Sequence, residues 1–116
     1  MPIPDYQSIM LPLMRFASDQ KEHEIVEYIE HLAQKFNVTP EERKELTPSG
    51  TDFLFDGRVR WARRHLSKAG LLESTKRGFF KITQRGLQVL ASNPSKIDDK
   101  LLEQFPEFKE YLTETY

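Results

Sequence analysis

Between Asp56 and Arg85 the sequence gathers Arg58, Arg60, Arg63, Arg64, Lys68, Lys76, Arg77, Lys81 and Arg85, opposed only by Asp56 and Glu73. Nine basic residues against two acidic ones give this stretch a net +7 within a chain of formal net charge −1. Residues 1–55 hold five basic and ten acidic groups, and residues 86–116 hold three and six, so both flanks are acidic. Cations gathered in one block are the electrostatic footprint of a polyanion site, whereas a merely solvated surface mixes the signs. The chemistry to expect is non-covalent: contact with phosphates, and arginine bonding to base edges.

Catalysis finds little to work with. The chain has no cysteine, hence no thiolate nucleophile, no disulfide and no Cys-ligated zinc. His23, His31 and His65 lack metal-ligand spacing and read as ordinary surface or half-buried histidines. Ser49-Gly50 lacks the G-x-S-x-G context of a nucleophile elbow, and the glycines never form a phosphate-cradling loop. Asp98-Asp99-Lys100 superficially suggests a nuclease metal site, but it stands at a helix start after Asn93-Pro94, where N-capping is the expected role. The expectation is therefore a binding domain that is not itself an enzyme, with no metal and no cofactor.

The basic block needs elements to aim it. Phe55, Val59, Ala62, Leu66 and Ala69 are spaced four, three, four and three, a single apolar stripe that predicts a helix over 55–69 closed by Gly70. With that stripe centred near 0°, Arg64 falls at roughly 180°, Arg60 at roughly 140°, Ser67 at roughly 120° and Lys68 at roughly 220°. Arg63 lies on the flank, within reach of a phosphate, and no acidic residue faces the outward arginines. Trp61 falls at the border of the stripe and reads as a core-edge residue. Arg58, nearer the buried side, is open to an internal carboxylate or carbonyl, to DNA, or to neither. Leu71 to Ser74 and Phe79 to Ile82 flank Thr75-Lys76-Arg77-Gly78, which predicts a β-hairpin with a basic tip. Lys76 and Arg77 would meet the sugar-phosphate backbone or the minor groove, with Lys81 and Arg85 extending the same surface.

Upstream, Tyr6, Ile9, Met10, Leu13, Met14 and Ala17 predict a helix over about 5–17, with Pro12 implying a kink or a late start. Lys21 to His23 reads as a short edge strand. Ile25, Ile29, Leu32, Ala33 and Phe36 form the apolar face of a second helix. Thr39, Pro40 and Glu42 spell a capping box for a brief third helix, ended by Pro48-Ser49-Gly50. Thr83 should cap a helix in which Leu87, Val89, Leu90 and Ala91 include the core contacts. Helix, short strand, helix, helix and hairpin make a mainly α winged helix-turn-helix, expected over residues 1–92. Residues 93–116, with Leu101, Phe105, Phe108 and Leu112 interrupted by Pro106, read as a helical extension or a linker to a further domain.

The 116 residues, 38% hydrophobic and 30% charged, suit one ordinary globular domain. The longest apolar run is broken by Pro12 and Arg15, so no membrane span is expected. The start has neither the basic leader nor the cleavage site of a signal peptide, which makes the cytoplasm the expected location.

The residues also carry a family likeness. Phe55-Asp56-Gly57-Arg58-Val59-Arg60-Trp61-Ala62, with Leu66, Lys68-Ala69-Gly70-Leu71, Arg77-Gly78, Ile82-Thr83 and Gly86, resembles the N-terminal domain of Mrr-type restriction endonucleases. Pro4-Asp5-Tyr6, Leu11-Pro12-Leu13, Pro48-Ser49-Gly50 and Phe105-Pro106-Glu107-Phe108 extend the resemblance over almost the whole chain. Gly57 stands where the family often has asparagine, and Arg60 where it has a small residue, which enlarges the basic face. The resemblance implies a winged-helix domain that recognises double-stranded DNA and precedes a PD-(D/E)xK nuclease domain. Two other readings remain: a free-standing transcription regulator, a homodimer through the Leu101–Leu112 stripe, and a protein-interaction winged helix facing an acidic partner.

Overall fold

Asp5 accepts a hydrogen bond from the Ser8 backbone N–H at 2.8 Å, and helix α1 (Tyr6–Ala17) starts from that cap. The computed structural model describes residues 3–115. Pro12 lies inside α1 without delaying its start. Ile9, Met10, Leu13, Met14 and Ala17 are fully buried on both sides of it, so packing outweighs the backbone donor that proline lacks.

Strand β1 (His23–Glu24) falls slightly later than the sequence suggests, because Glu24 also serves as the N-cap of helix α2 (Ile25–Lys35). The Glu24 N–H donates to Glu27 Oε2 at 2.8 Å. Tyr28, Ile29, Leu32 and Ala33 are the buried side of α2. Thr39 and Glu42 form the expected reciprocal caps of helix α3 (Pro40–Arg43). The chain then doubles back. Leu46 and Phe53 form an isolated antiparallel bridge, and the Thr47 N–H donates to the Asp52 carbonyl at 2.9 Å.

Helix α4 (Leu54–Lys68) is the centre of the molecule. Phe55, Val59, Ala62 and Leu66, followed by Ala69, are all fully buried, so the whole expected stripe faces inward. Gly70 ends the helix at φ 83°, a left-handed conformation open to glycine. Strands β2 (Leu72–Lys76) and β3 (Phe79–Ile82) follow, in an antiparallel sheet of order β1-β3-β2. The turn is tighter than the four-residue tip expected: Lys76 pairs with Phe79, leaving Arg77 and Gly78, the latter at φ 82°. The register slips between Ser74 and Lys76, so Thr75 is the extra residue of a bulge and Lys76 belongs to the strand. The Ile25 N–H donates to the Gly78 carbonyl at 2.9 Å, which pins the end of the wing to the start of α2.

Thr83 caps helix α5 (Gln84–Ala91) from both sides of its hydroxyl. It accepts from the Gly86 N–H at 3.1 Å and donates to the Gly70 carbonyl at 2.6 Å. Thr83→Ala is expected to lower stability by about 1–2 kcal/mol, read from the midpoint of urea unfolding. An unshifted midpoint would mean that neither bond matters. Val89 is buried, Leu87 and Leu90 are half-buried, and Ala91, expected among the core contacts, is exposed because it lies in the last turn.

The C-terminal stripe is two helices instead of one interrupted helix. Asp98 caps α6 (Asp99–Leu102), accepting from the Leu101 N–H at 3.0 Å, and Pro106 opens α7 (Pro106–Thr115), where a missing donor costs nothing. Ile97, Leu102, Phe108 and Tyr111 are buried in the same core as α1, α2 and α4. The architecture is mainly α with a small antiparallel sheet, in winged helix-turn-helix order.

Candidate nucleic-acid interface

Arg60, Arg64 and Lys68 are exposed on α4, opposite the apolar stripe. Arg63 and Ser67 are half-buried on one flank of that face. The Arg63 guanidinium lies over the Phe80 ring, 4.4 Å from its centroid, and donates from an Nη to Ser67 Oγ at 3.4 Å. Its Nε is buried with no hydrogen-bond partner among the described residues. Burial, reinforced by the neighbouring Arg64 cation, holds the Arg63 pKa below the usual arginine value. Arg63 therefore joins the helix to β3 as well as carrying charge.

Arg64 and Lys68 form no ion pair among the described residues. Both lie over the Tyr111 ring of α7, at 5.8 and 5.4 Å from its centroid. Arg60 differs. The expectation that no acid faces the outward arginines fails here, because one Nη of Arg60 donates to both Asp52 oxygens, at 3.2 and 3.0 Å. Asp52 reaches the helix from the doubled-back loop, not from α4 itself, so a helical wheel could not reveal it. Both side chains are about half exposed, 48% and 43%, and such a pair contributes about 0–1 kcal/mol.

On the wing, Arg77 is exposed in the turn and Lys76 is exposed at the end of β2. Lys76 Nζ lies 4.4 Å from the Phe79 centroid and 3.5 Å from Glu22 Oε1. A hydrogen bond from Thr75, then the Lys76 charge, hold the Glu22 carboxyl below the usual range. Lys76 is thus partly countered, while Arg77 has no ion pair among the described residues.

Other members of the basic block serve the fold. Arg58 donates to the Ile3 and Pro4 carbonyls at 2.8 and 3.1 Å, the internal role open to it from sequence. Arg85 does not extend the basic surface. It donates to the Ala69 carbonyl at 2.8 Å and to Glu107 at 2.5 Å, and lies over Phe105, fastening α5 to α4 and α7. Lys81 is half-buried on β3. Trp61, expected at the core edge, keeps 43% of its surface exposed while its ring meets the Tyr6 and His65 rings.

Several residues at or behind this face carry no sequence signal. His65 is buried, not half-buried, and its Nδ1 lies 2.9 Å from Asp99 Oδ1. The Tyr6 hydroxyl donates to the other Asp99 oxygen. Leu46 and Phe53, paired just before α4, are exposed large apolar residues. Asp52 and Tyr111 likewise become visible as neighbours of the arginines only once distant segments meet. Among the described residues no group of three or more His, Asp or Glu could hold a metal ion, and no helix is long and apolar enough to cross a membrane.

Residues 6–92 match the family model described as the Mrr N-terminal domain. The chain belongs to that family. A curated relative, the type IV methyl-directed restriction enzyme EcoKMrr of Escherichia coli (strain K12), is 26% identical over 101 residues. The alignment covers 86% of this chain and 33% of the relative, so this Mrr N-terminal domain spans about a third of that enzyme's length. No solved structure matches the chain.

Proposed function

We propose that this Mrr N-terminal domain binds double-stranded DNA, as the target-recognition part of a cytoplasmic restriction endonuclease whose cutting is done by a separate nuclease domain. The observation that carries the reading is the exposed pair Arg64 and Lys68, free of carboxylate partners among the described residues and on the same outward side of α4 as Arg60. An α-helix about 10–12 Å across fits a major groove about 12 Å wide. Arg64 is assigned to a guanine edge, Lys68 and Arg63 to phosphates, and Ser67 to a phosphate or base at the flank. Arg60 joins them once DNA competes with Asp52 for its guanidinium, a contest between exposed groups that costs little. Lys76 and Arg77 are assigned to the backbone beside the groove, where they add affinity without reading sequence.

The name of the relative says methyl-directed. Carried to this chain as part of the proposal, that preference has a candidate surface in Leu46 and Phe53, since apolar side chains meet base methyl groups in the major groove. The regulator reading has weaker support, because Phe108 of the stripe that would join two copies is fully buried in its own domain.

Fluorescence anisotropy with labelled duplexes, methylated and unmethylated, tests the proposal. Affinity should fall steeply with salt, because each phosphate contact releases counterions. No duplex binding even at low salt would defeat it. A Lys76→Ala, Arg77→Ala double variant should flatten the plot of log affinity against log salt by about two phosphate contacts, leaving sequence preference intact. A slope equal to wild type would remove the wing from the interface.

A further inference from the structure

We propose that Tyr111, in helix α7 beyond the family-matched span, is a positioning residue for the DNA face: its ring holds the Arg64 guanidinium and the Lys68 ammonium over the outward side of α4. The inference rests on the DNA-binding reading above for its consequence, though not for its geometry.

Arginine and lysine side chains are long and rotamer-rich, and an exposed pair one turn apart would ordinarily sample many positions. Here the two cations share one aromatic ring, at 5.8 and 5.4 Å from its centroid. Cations lying within about 6 Å of a ring centroid are attracted by its negative face. The ring itself is held in place. Tyr111 is 8% exposed, with the Phe108 ring 6.1 Å away and the His65 ring 5.8 Å away. His65 is in turn fixed by Asp99, whose other oxygen accepts from Tyr6 and whose N–H donates to Gln7 at 3.0 Å. A rigid aromatic platform thus stands under two mobile cations. Limiting their motion before DNA arrives reduces the entropy lost on binding, which is the general basis of preorganisation.

The arrangement also explains why the segment after residue 92 matters to the site. The family model ends there, yet α7 supplies the platform on one flank of α4, while Phe80 of β3 supplies an equivalent one for Arg63 on the other. The outward face of α4 therefore lies between two aromatic rings, each carrying cations.

The test compares Tyr111→Phe and Tyr111→Leu in the full chain, by duplex anisotropy across a salt series together with thermal unfolding. Phenylalanine keeps the ring and should keep wild-type affinity. Leucine keeps the burial but removes the ring, and should weaken binding roughly tenfold, the ordering cost of one or two rotamer-rich side chains that the ring no longer restrains. Sequence-independent binding should weaken in parallel. Wild-type affinity in both variants, or equal losses in both, would overturn the proposal, the second by pointing to the hydroxyl. A second measurement needs no DNA, and its first half no variant: in the wild-type NMR spectrum, the outer methylene protons of Arg64 and Lys68 should show ring-current shifts, and these should disappear in Tyr111→Leu. Methylene shifts at ordinary random-coil values in the wild type would also overturn it. Failure of the wild type to bind any duplex would instead strike the DNA-binding reading, leaving the ring-current result to decide the placement.

Discussion

Arg64→Ala should weaken duplex binding by about 1–3 kcal/mol, a rise in Kd of about fivefold to more than a hundredfold. The size of the effect follows from where the side chain stands. Arg64 is exposed at the centre of the outward face of α4, and no carboxylate among the described residues competes for it. Its truncation removes two directed bonds if it reads guanine, but only one charge contact if it meets a phosphate. Arg64→Lys separates these cases. Lysine keeps the charge and loses the planar fork, so base reading predicts a retained salt slope and a lost sequence preference. A phosphate role predicts little change in either. Arg60→Ala should have a smaller effect, since Arg60 begins in a pair with Asp52 that DNA must replace. A loss under about twofold in Arg64→Ala would move the recognition surface off this face of α4.

How much of this was legible in the sequence depends on distance along the chain. The four-three spacing from Phe55 to Ala69 forecast a fully buried stripe, and the caps at Thr39, Thr83 and Asp98 form where their spacing places them. These are local features, decided by helical period and by side chains that satisfy nearby N–H groups. What stayed hidden was which cation meets which carboxylate. The Arg60–Asp52 pair depends on a loop folded back through the Leu46–Phe53 bridge, and Arg85–Glu107 joins helices 22 positions apart. His65 and Asp99 are 34 positions apart, Tyr6 and Asp99 93. Counting charges in a block therefore measured the supply of cations correctly but not their availability. Of the candidates on α4 and the wing, Arg64, Lys68 and Arg77 stay clear of carboxylates among the described residues, Arg60 and Lys76 are paired at the surface, and Arg63 is half-buried.

Phe108→Ala should destabilise the protein by about 3–5 kcal/mol, the range for deleting a fully buried aromatic side chain. That expectation decides what the C-terminal segment is. A tail or linker merely resting on the domain would lose contacts without unfolding anything else, and the main transition would move by less than about 0.5 kcal/mol. The structure instead places Phe108 in one core with α1, α2 and α4, with its ring 5.4 Å from the ring of His65 on the inner side of α4. Since small domains are stable by about 5–15 kcal/mol in total, a loss of this size consumes much of the margin. Urea unfolding should show a lower midpoint with an unchanged slope, which means the same surface is exposed in one cooperative step. A second, earlier transition would show instead that residues 97–115 unfold alone. In that case the Tyr111 platform would come and go independently of α4, and the proposed DNA face would be set by the first 92 residues.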